Sequence, residues 1–198
     1  MSEILYVYKK QIYVNLTNRC SGNCVFCVRN KNDGVGNHNL VLKQDPTLSE
    51  LISEIDAFDF DGYEEFVFCG YGEPTCAIDN LLATAEYFKK SHSQKIRVNT
   101  NDLGRLYNGW DILTELNKVV DSYSISLNAP NEERYYQLVR PPYEHAFEEV
   151  LSFAKEGKKA KKEVVFSVVS VLSDEEIALC RDLAQRLDIP LKVRKYEG

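Results

Sequence analysis

The sequence predicts an α/β protein with a parallel sheet of six strands. Three observations predict this fold: short apolar segments recur along the chain, amphipathic segments of helical spacing separate them, and polar residues follow directly after the apolar segments. Such alternation implies right-handed βαβ connections. Six strands fit an open doubly wound sheet or a partial barrel, and in both architectures ligands bind at the carboxyl ends of the strands.

The strands are predicted from runs of apolar and β-branched residues. The first is QIYVNL, residues 11–16, and the strongest is residues 163–171, which is rich in valine. The full set of predicted strands is residues 11–16, 65–69, 95–100, 122–127, 163–171 and 191–196.

The helices are predicted from apolar residues at helical spacing and from their start signals. Thr47 is the expected N-cap of one helix, with Glu50 three residues later, and Ser173 is the expected N-cap of the last helix. The predicted helices span residues 48–58, 78–90, 112–116, 132–139, 147–156 and 174–187.

Length and composition favour one soluble domain. We expect the 198 residues to form a single domain over residues 1–198, because one core of this size buries most of its apolar surface. The sequence has neither a signal peptide nor a run of about 18 apolar residues, so we expect a cytoplasmic protein without a membrane partner. The net charge of −6 does not indicate nucleic-acid binding.

Three of the six cysteines are packed into one short segment. Cys20, Cys24 and Cys27 form a C-x3-C-x2-C pattern inside a long loop, residues 17–47, whose length points to function. In a cytosolic protein clustered cysteines more often bind metal than form disulfides. Three thiolates suit one corner of a [4Fe–4S] cluster and leave one iron open.

Two other chemistries fit part of this pattern. Structural zinc needs four ligands, and His38 or Cys69 would have to complete the set. A thioredoxin-like redox pair would use Cys24 and Cys27, but such a pair opens a helix directly after a strand and needs no third cysteine.

The cysteine pattern resembles the signature of the radical S-adenosylmethionine (SAM) superfamily, in which an aromatic residue precedes the third cysteine, as Phe26 does here. The resemblance implies a partial (β/α)6 barrel and a [4Fe–4S] cluster held by Cys20, Cys24 and Cys27. The open iron would chelate SAM, which is reductively cleaved to a 5′-deoxyadenosyl radical. That radical abstracts hydrogen from a substrate that the sequence does not identify, and an external one-electron reductant of the flavodoxin or ferredoxin type is implied.

Three segments resemble the SAM-binding segments of this family. Gly70-Tyr-Gly-Glu-Pro-Thr75 is similar to the GGEP motif that binds the SAM ammonium, and Asn99-Thr-Asn-Asp102 is similar to a ribose-contacting NTNG segment, with Asp102 in place of glycine. A Gly-rich turn and a plain turn after a strand are the structural alternatives. The resemblance also implies that Arg140 binds the SAM carboxylate, although a lone arginine is more often a surface residue. The implied SAM contacts are Phe26, Gly72, Glu73, Pro74, Asn99, Asn101, Ser126, Asn128 and Arg140.

Two longer segments narrow the resemblance. CVFCVRN, residues 24–30, and SLNAPNEERYYQLVRP, residues 126–141, are similar to small radical SAM proteins associated with TatD-family nucleases, which implies a TatD-family hydrolase as a partner. The alternative function is an iron–sulfur protein that carries electrons or holds a cluster without cleaving SAM. Cys180 is expected in the core, and Cys76 at the edge of the site.

Overall fold

A seven-stranded sheet forms the centre of the computed structural model, which describes residues 3–196. Two further strands, β3 and β4, pair with each other in a small hairpin outside this sheet. The strands are β1 (Leu5–Tyr8), β2 (Gln11–Val14), β3 (Gly34–Val35), β4 (His38–Asn39), β5 (Glu65–Phe68), β6 (Lys95–Thr100), β7 (Ser122–Ser126), β8 (Glu163–Val169) and β9 (Leu191–Arg194).

The six predicted strands are confirmed as a parallel set. The sheet order is β1-β2-β5-β6-β7-β8-β9, and every pair from β2 onward is parallel. Strand order therefore follows chain order, whereas a doubly wound sheet reverses direction at a switch point. The architecture is that of the partial (β/α)6 barrel, and the doubly wound alternative is wrong.

Strand β1 was not predicted. It pairs antiparallel with β2 through a tight turn at Lys9 and Lys10, whose φ angles are 49° and 63°. Such turns normally carry glycine or asparagine, because those residues tolerate positive φ. Two lysines in the left-handed region give no turn signal, so the sequence analysis did not find the hairpin.

Helices cover the outer face of the sheet. The predicted caps are confirmed, since Thr47 with Glu50 and Ser173 with Glu176 each form a complete capping box. One five-residue helix, α3, was not predicted. The helices are α1 (Leu48–Ala57), α2 (Ile78–Ser91), α3 (Gly104–Asn108), α4 (Ile112–Val119), α5 (Glu132–Val139), α6 (Ala146–Lys159) and α7 (Asp174–Arg186). Within residues 3–196, none of them is both long and apolar enough to cross a bilayer.

The two faces of the sheet differ in chemistry. Alternate residues of each strand, such as Phe66, Ile125 and Phe166, are fully buried against the helices. The intervening residues point to the concave side, which we call the lumen. Cys180 is buried in the helix-side core, as predicted. The lumen is lined mainly by polar side chains, namely Gln11, Tyr13, Glu65, Arg97, Asn99, Ser122, Ser124, Ser126, Ser167, Lys192 and Arg194.

Candidate functional site

The three clustered cysteines lie in the loop that follows β2, at the carboxyl end of the sheet. Each is a half-buried free thiol. The N–H of Cys27 donates to the carbonyl of Cys24 at 3.1 Å, and the side chain of Asn30 donates to the same carbonyl at 3.2 Å. These bonds give the segment between Cys24 and Asn30 a tight local turn.

The cysteine loop is attached to the end of α5. The N–H of Asn23 donates to the carbonyl of Val139, and the N–H of Val25 donates to the carbonyl of Leu138, both at 2.9 Å. These bonds satisfy carbonyls that the end of a helix leaves unpaired. They also place Arg140, the next residue of the chain, beside the cysteine loop.

The thiols lie in a poorly solvated, electrostatically coupled group. Burial raises the pKa of Cys20 to about 11, and the nearby Glu73 charge adds to this rise. Burial raises the pKa of Cys24 to about 12, with further contributions from Cys20 and Cys27. The charge of Arg29 opposes both shifts. The thiols of Cys20 and Cys24 therefore favour the protonated form unless a cation compensates them.

The Gly70–Thr75 segment packs directly against the cysteine loop. The N–H of Gly72 donates to the carbonyl of Thr17 at 2.9 Å, and the N–H of Glu73 donates to the carbonyl of Arg19 at 2.8 Å. A Cβ atom on Gly72 would lie 2.2 Å from the Arg19 carbonyl oxygen. Only glycine permits this approach of two backbones.

The Glu73 carboxylate faces the protein interior. Its Oε1 accepts hydrogen bonds from the hydroxyls of Thr75 at 2.8 Å and Thr100 at 2.7 Å, and its Oε2 accepts one from the N–H of Asn101 at 2.8 Å. Burial raises the pKa of this carboxyl, and the same hydrogen bonds oppose the rise. The side chain therefore holds the loops after β5 and β6 together, and the backbone of Gly70–Gly72 forms the half-buried edge of the segment.

The two predicted amides after β6 occupy different positions. Asn101 donates to the Ser21 hydroxyl at 3.0 Å and approaches the Cys20 sulfur at 3.7 Å, so it lies at the cysteine loop. Asn99 lies in the lumen, where its side chain lowers the pKa of the nearby Cys69 thiol and its oxygen accepts a hydrogen bond from Arg97 at 3.1 Å.

Asp102 occupies the position where the related segment has glycine. Its φ of 60° lies in the left-handed region, which explains why glycine suits this position. The side chain is fully buried, and neither carboxyl oxygen has a hydrogen-bond partner within residues 3–196. Burial and the neighbouring Glu73 and Glu149 hold the pKa of Asp102 well above its usual range. The sequence analysis did not anticipate this buried acid.

The segment after β7 also carries an unsatisfied group. Ser126 ends β7 half-buried on the lumen face. Asn128 has a φ of 58° and is buried, and its Oδ1 accepts no hydrogen bond in the described part of the chain. A buried acceptor of this kind calls for a donor from a bound molecule.

The remaining predicted residues have simple surroundings. Phe26 is half-buried and packs against the hydrophobic core, and Pro74 is buried at the start of a 3-10 helix, Pro74–Ala77. Arg140 is exposed and has a φ of 50°. His38 lies away from the cysteines, with its ring nitrogen on Glu3 and its ring against Tyr6.

Comparison with protein-family models identifies the family of this chain. The model described as the radical SAM superfamily matches residues 14–185, which include all three loop cysteines and both loops that Glu73 joins. The chain belongs to the radical SAM superfamily. It is therefore an enzyme whose cofactors are a [4Fe–4S] cluster and SAM. No curated protein matches the chain.

Solved radical SAM structures share the fold. Streptococcus suis SuiB bound to S-adenosylmethionine superposes with a TM-score of 0.69 at 20% identity, over 94% of this chain and 40% of SuiB. A radical SAM methyltransferase from Sphaerobacter thermophilus gives 0.65 at 16% identity, over 98% of this chain and 69% of that one. Native anSMEcpe with bound AdoMet and Kp18Cys peptide superposes with a TM-score of 0.67 at 15% identity, over 93% of this chain and 50% of anSMEcpe. The chain thus spans half or less of SuiB and anSMEcpe.

The donor set fits the radical SAM cluster. Three thiols come from one loop, and no three Cys, His, Asp or Glu side chains among residues 3–196 form a site for a single metal ion. The thiol of Cys69 lies in the lumen near Asn99, which lowers the pKa of that thiol. The thiol of Cys76 is buried, and burial raises its pKa to about 12. Three thiols from one loop suit a cluster with one open iron better than a zinc ion, which needs four ligands.

Proposed function

We propose that Cys20, Cys24 and Cys27 hold a [4Fe–4S] cluster and that the enzyme cleaves SAM reductively to act on a substrate by hydrogen abstraction. When bound, the cluster supplies the electron that splits SAM into methionine and a 5′-deoxyadenosyl radical. The observation that supports the proposal is the joining of the cysteine loop, the Gly70–Thr75 segment and the segment after β6 at one end of the barrel.

Different residues at this end of the barrel are proposed to bind different groups of SAM. The backbone carbonyls of Gly70–Gly72 suit the SAM ammonium, because both oxygens of the Glu73 carboxylate already accept hydrogen bonds from protein donors. Gly72 keeps this backbone against the loop. Pro74 ends the segment by starting the 3-10 helix Pro74–Ala77. Asn101, beside Cys20, suits the ribose hydroxyls, since an amide both donates and accepts.

Four further residues complete the proposed site. The unpaired side-chain oxygen of Asn128 is the proposed acceptor for an amino group of SAM. Ser126, two residues earlier at the end of β7, is proposed to contact SAM from the lumen face. Arg140, fixed beside the loop by the end of α5, is the proposed partner of the SAM carboxylate. Phe26 packs under the loop and holds Cys27 in place. Asn99 is proposed to reach SAM from the lumen side, through the amide that now contacts Cys69.

The partners and location follow from the surface and the sequence. Val25, next to Cys24, is 41% exposed, so the loop is open to an external reductant of the flavodoxin or ferredoxin type. A TatD-family hydrolase is proposed as a partner on the two sequence segments that resemble TatD-associated proteins. We also propose that residues 1–198 form one domain and that the protein is cytoplasmic.

The decisive test is SAM cleavage by anaerobically reconstituted protein. With dithionite and SAM, the wild type is expected to form 5′-deoxyadenosine, whereas Cys24→Ala is not. Cys180→Ala, a cysteine in the helix-side core, should retain the wild-type iron content, whereas Cys24→Ala should lose it. Equal iron in the two variants would contradict the ligand assignment.

An alternative outcome identifies the electron-carrier function. A reducible cluster whose electron paramagnetic resonance signal does not respond to SAM, without formation of 5′-deoxyadenosine, would show an iron–sulfur protein that does not cleave SAM.

A further inference from the structure

The lumen contains two ion pairs that cancel their own charge. Arg97 binds Glu65 at 2.5 Å, and both side chains are about one-fifth exposed. Lys95 binds Glu163 at 2.7 Å at the amino end of the strands. Each basic side chain here has an acidic partner, so this half of the lumen is close to neutral.

Strand β9 adds two basic side chains without such partners. Leu191 and Val193 pack against the helix-side core, so Lys192 and Arg194 point to the lumen. Their register places them beside Ser167 and Val169 of β8. Within residues 3–196, neither Lys192 nor Arg194 forms a salt bridge or a side-chain hydrogen bond. Among the described residues 3–196, these two positive charges on the lumen face therefore have no acidic partner, although the whole chain has a net charge of −6.

Arg194 lies at the end of the barrel where the cysteine loop lies. It is the last residue of β9, and its charge acts across the lumen on the Cys69 thiol at the carboxyl end of β5, lowering the pKa of that thiol against the effect of burial. The neighbouring strands contribute short side chains, such as Ser126 and Ser167. Short side chains leave room for a bound molecule between β7 and β9.

We propose that the substrate carries a carboxylate or phosphate group and that Lys192 and Arg194 bind it in the lumen. The inference rests on the proposed radical SAM function and adds the substrate class. Two exposed cations on the lumen face of the edge strand β9, without acidic partners among residues 3–196, attract anions to a chain that otherwise repels them. The guanidinium group of Arg194 can bind two oxygens of a carboxylate or a phosphate at once, and the Lys192 ammonium adds a second positive charge. Bound there, the anion would hold the rest of the substrate between β9 and the SAM site.

The test measures anion binding to cluster-loaded protein in the presence of SAM. Inorganic phosphate and succinate are titrated separately by calorimetry at low salt, so that the two acidic groups are distinguished. The variant is Lys192→Gln/Arg194→Gln. The matched control is Lys155→Gln/Lys159→Gln, which makes the same change in net charge at exposed positions of α6. Arg194→Lys serves as the conservative variant.

We expect the wild type to bind at least one of the two anions and the lumen variant to bind it at least about tenfold more weakly. The α6 control should bind within about twofold of the wild type, since distant exposed charges are screened. Arg194→Lys should retain an intermediate affinity. Equal affinity in wild type and lumen variant, or no binding of either anion to the wild type, would overturn the proposal.

A second readout separates substrate from SAM. Both double variants should keep the SAM-induced change in the cluster's electron paramagnetic resonance signal. Loss of this change in the lumen variant alone would assign the two cations to the SAM carboxylate and overturn the substrate assignment. Failure of the proposed function itself is seen separately, as absence of 5′-deoxyadenosine from the wild type without added anion.

Discussion

The backbone N–H of Asn101 donates a hydrogen bond to Oε2 of Glu73 at 2.8 Å, and this bond joins the loops that follow β5 and β6. The same carboxylate holds Thr100 through its other oxygen. Because Asn101 in turn contacts Ser21 and Cys20, Glu73 positions the cysteine loop without touching it through its side chain.

Replacing Glu73 with Gln should therefore weaken both the fold and the site. Glutamine has only one acceptor oxygen, so in either orientation of its amide one backbone N–H, that of Thr75 or that of Asn101, loses its acceptor. We expect the free energy of unfolding to fall by roughly 1–3 kcal/mol and SAM affinity to fall with it. Urea denaturation and SAM titration measure the two effects. Glu64→Gln, at an exposed neighbouring position, is the control, and equal behaviour of the two variants would refute the positioning role.

Gly72→Ala should prevent the cysteine loop from docking. The added Cβ would lie 2.2 Å from the carbonyl oxygen of Arg19, and backbone atoms cannot move aside cheaply. We expect iron incorporation to fall severalfold, measured by iron content after reconstitution. Gly22→Ala is the matched control inside the same loop, because its nearest contact would be an ordinary 3.5 Å from Val139. The steric account is wrong if both variants load iron equally.

Asp102 should make the stability of the metal-free protein depend on pH. A carboxyl with a raised folded-state pKa binds its proton more tightly when folded, so stability falls as pH rises from the unfolded value near 3.8 toward the folded value. Asp102→Asn removes this loss, and asparagine tolerates the left-handed backbone.

The stability gained by Asp102→Asn should therefore grow between pH 5 and pH 8, to roughly 1–3 kcal/mol. Urea denaturation at both pH values measures it. Asp182→Asn, at an exposed position of α7, should show no such trend. A gain that stays constant with pH would show that the Asp102 carboxyl does not titrate as described.

The Arg97–Glu65 pair should stabilise the lumen more than an exposed pair does. Arg97→Met leaves Glu65 without its cation and Asn99 without a donor, so we expect a loss of about 1–3 kcal/mol in the free energy of unfolding. In a double-mutant cycle with Glu65→Gln, the combined loss should be smaller than the sum. Lys95→Met breaks the Lys95–Glu163 pair, whose side chains are both more than half exposed. It should lower the free energy of unfolding by less than about 1 kcal/mol. Additive losses at Arg97 and Glu65 would contradict the coupling.

The sequence predicted those parts of the fold that depend on local signals. Capping boxes at Thr47 and Ser173 and the β-branched run of β8 each depend on neighbouring residues, and all three were found. The turn at Lys9 and Lys10 was missed because its left-handed residues carry no glycine or asparagine. Tertiary contacts with β2, rather than turn propensity, support this hairpin.

The sequence predicted where the segments of the site lie, but not which partners their side chains contact. The segments after β5 and β6 meet the cysteine loop because parallel strands end on one side. The inward turn of the Glu73 carboxylate and the separation of Asn99 from Asn101 depend on which partner each side chain finds across the sheet. Asp102 looked like a turn residue, since burial of its carboxyl is a property of the assembled core.

The attachment of Asn23 and Val25 to the end of α5 also sets an order of events during biosynthesis. The cysteines leave the ribosome early, but the carbonyls of Leu138 and Val139 that hold their loop are made much later. Long-range contacts of this kind form only when the intervening chain has collapsed. The nascent protein must therefore complete β7 and α5 before the cysteine loop can dock, so the thiols reach their final arrangement only after most of the chain has been synthesised.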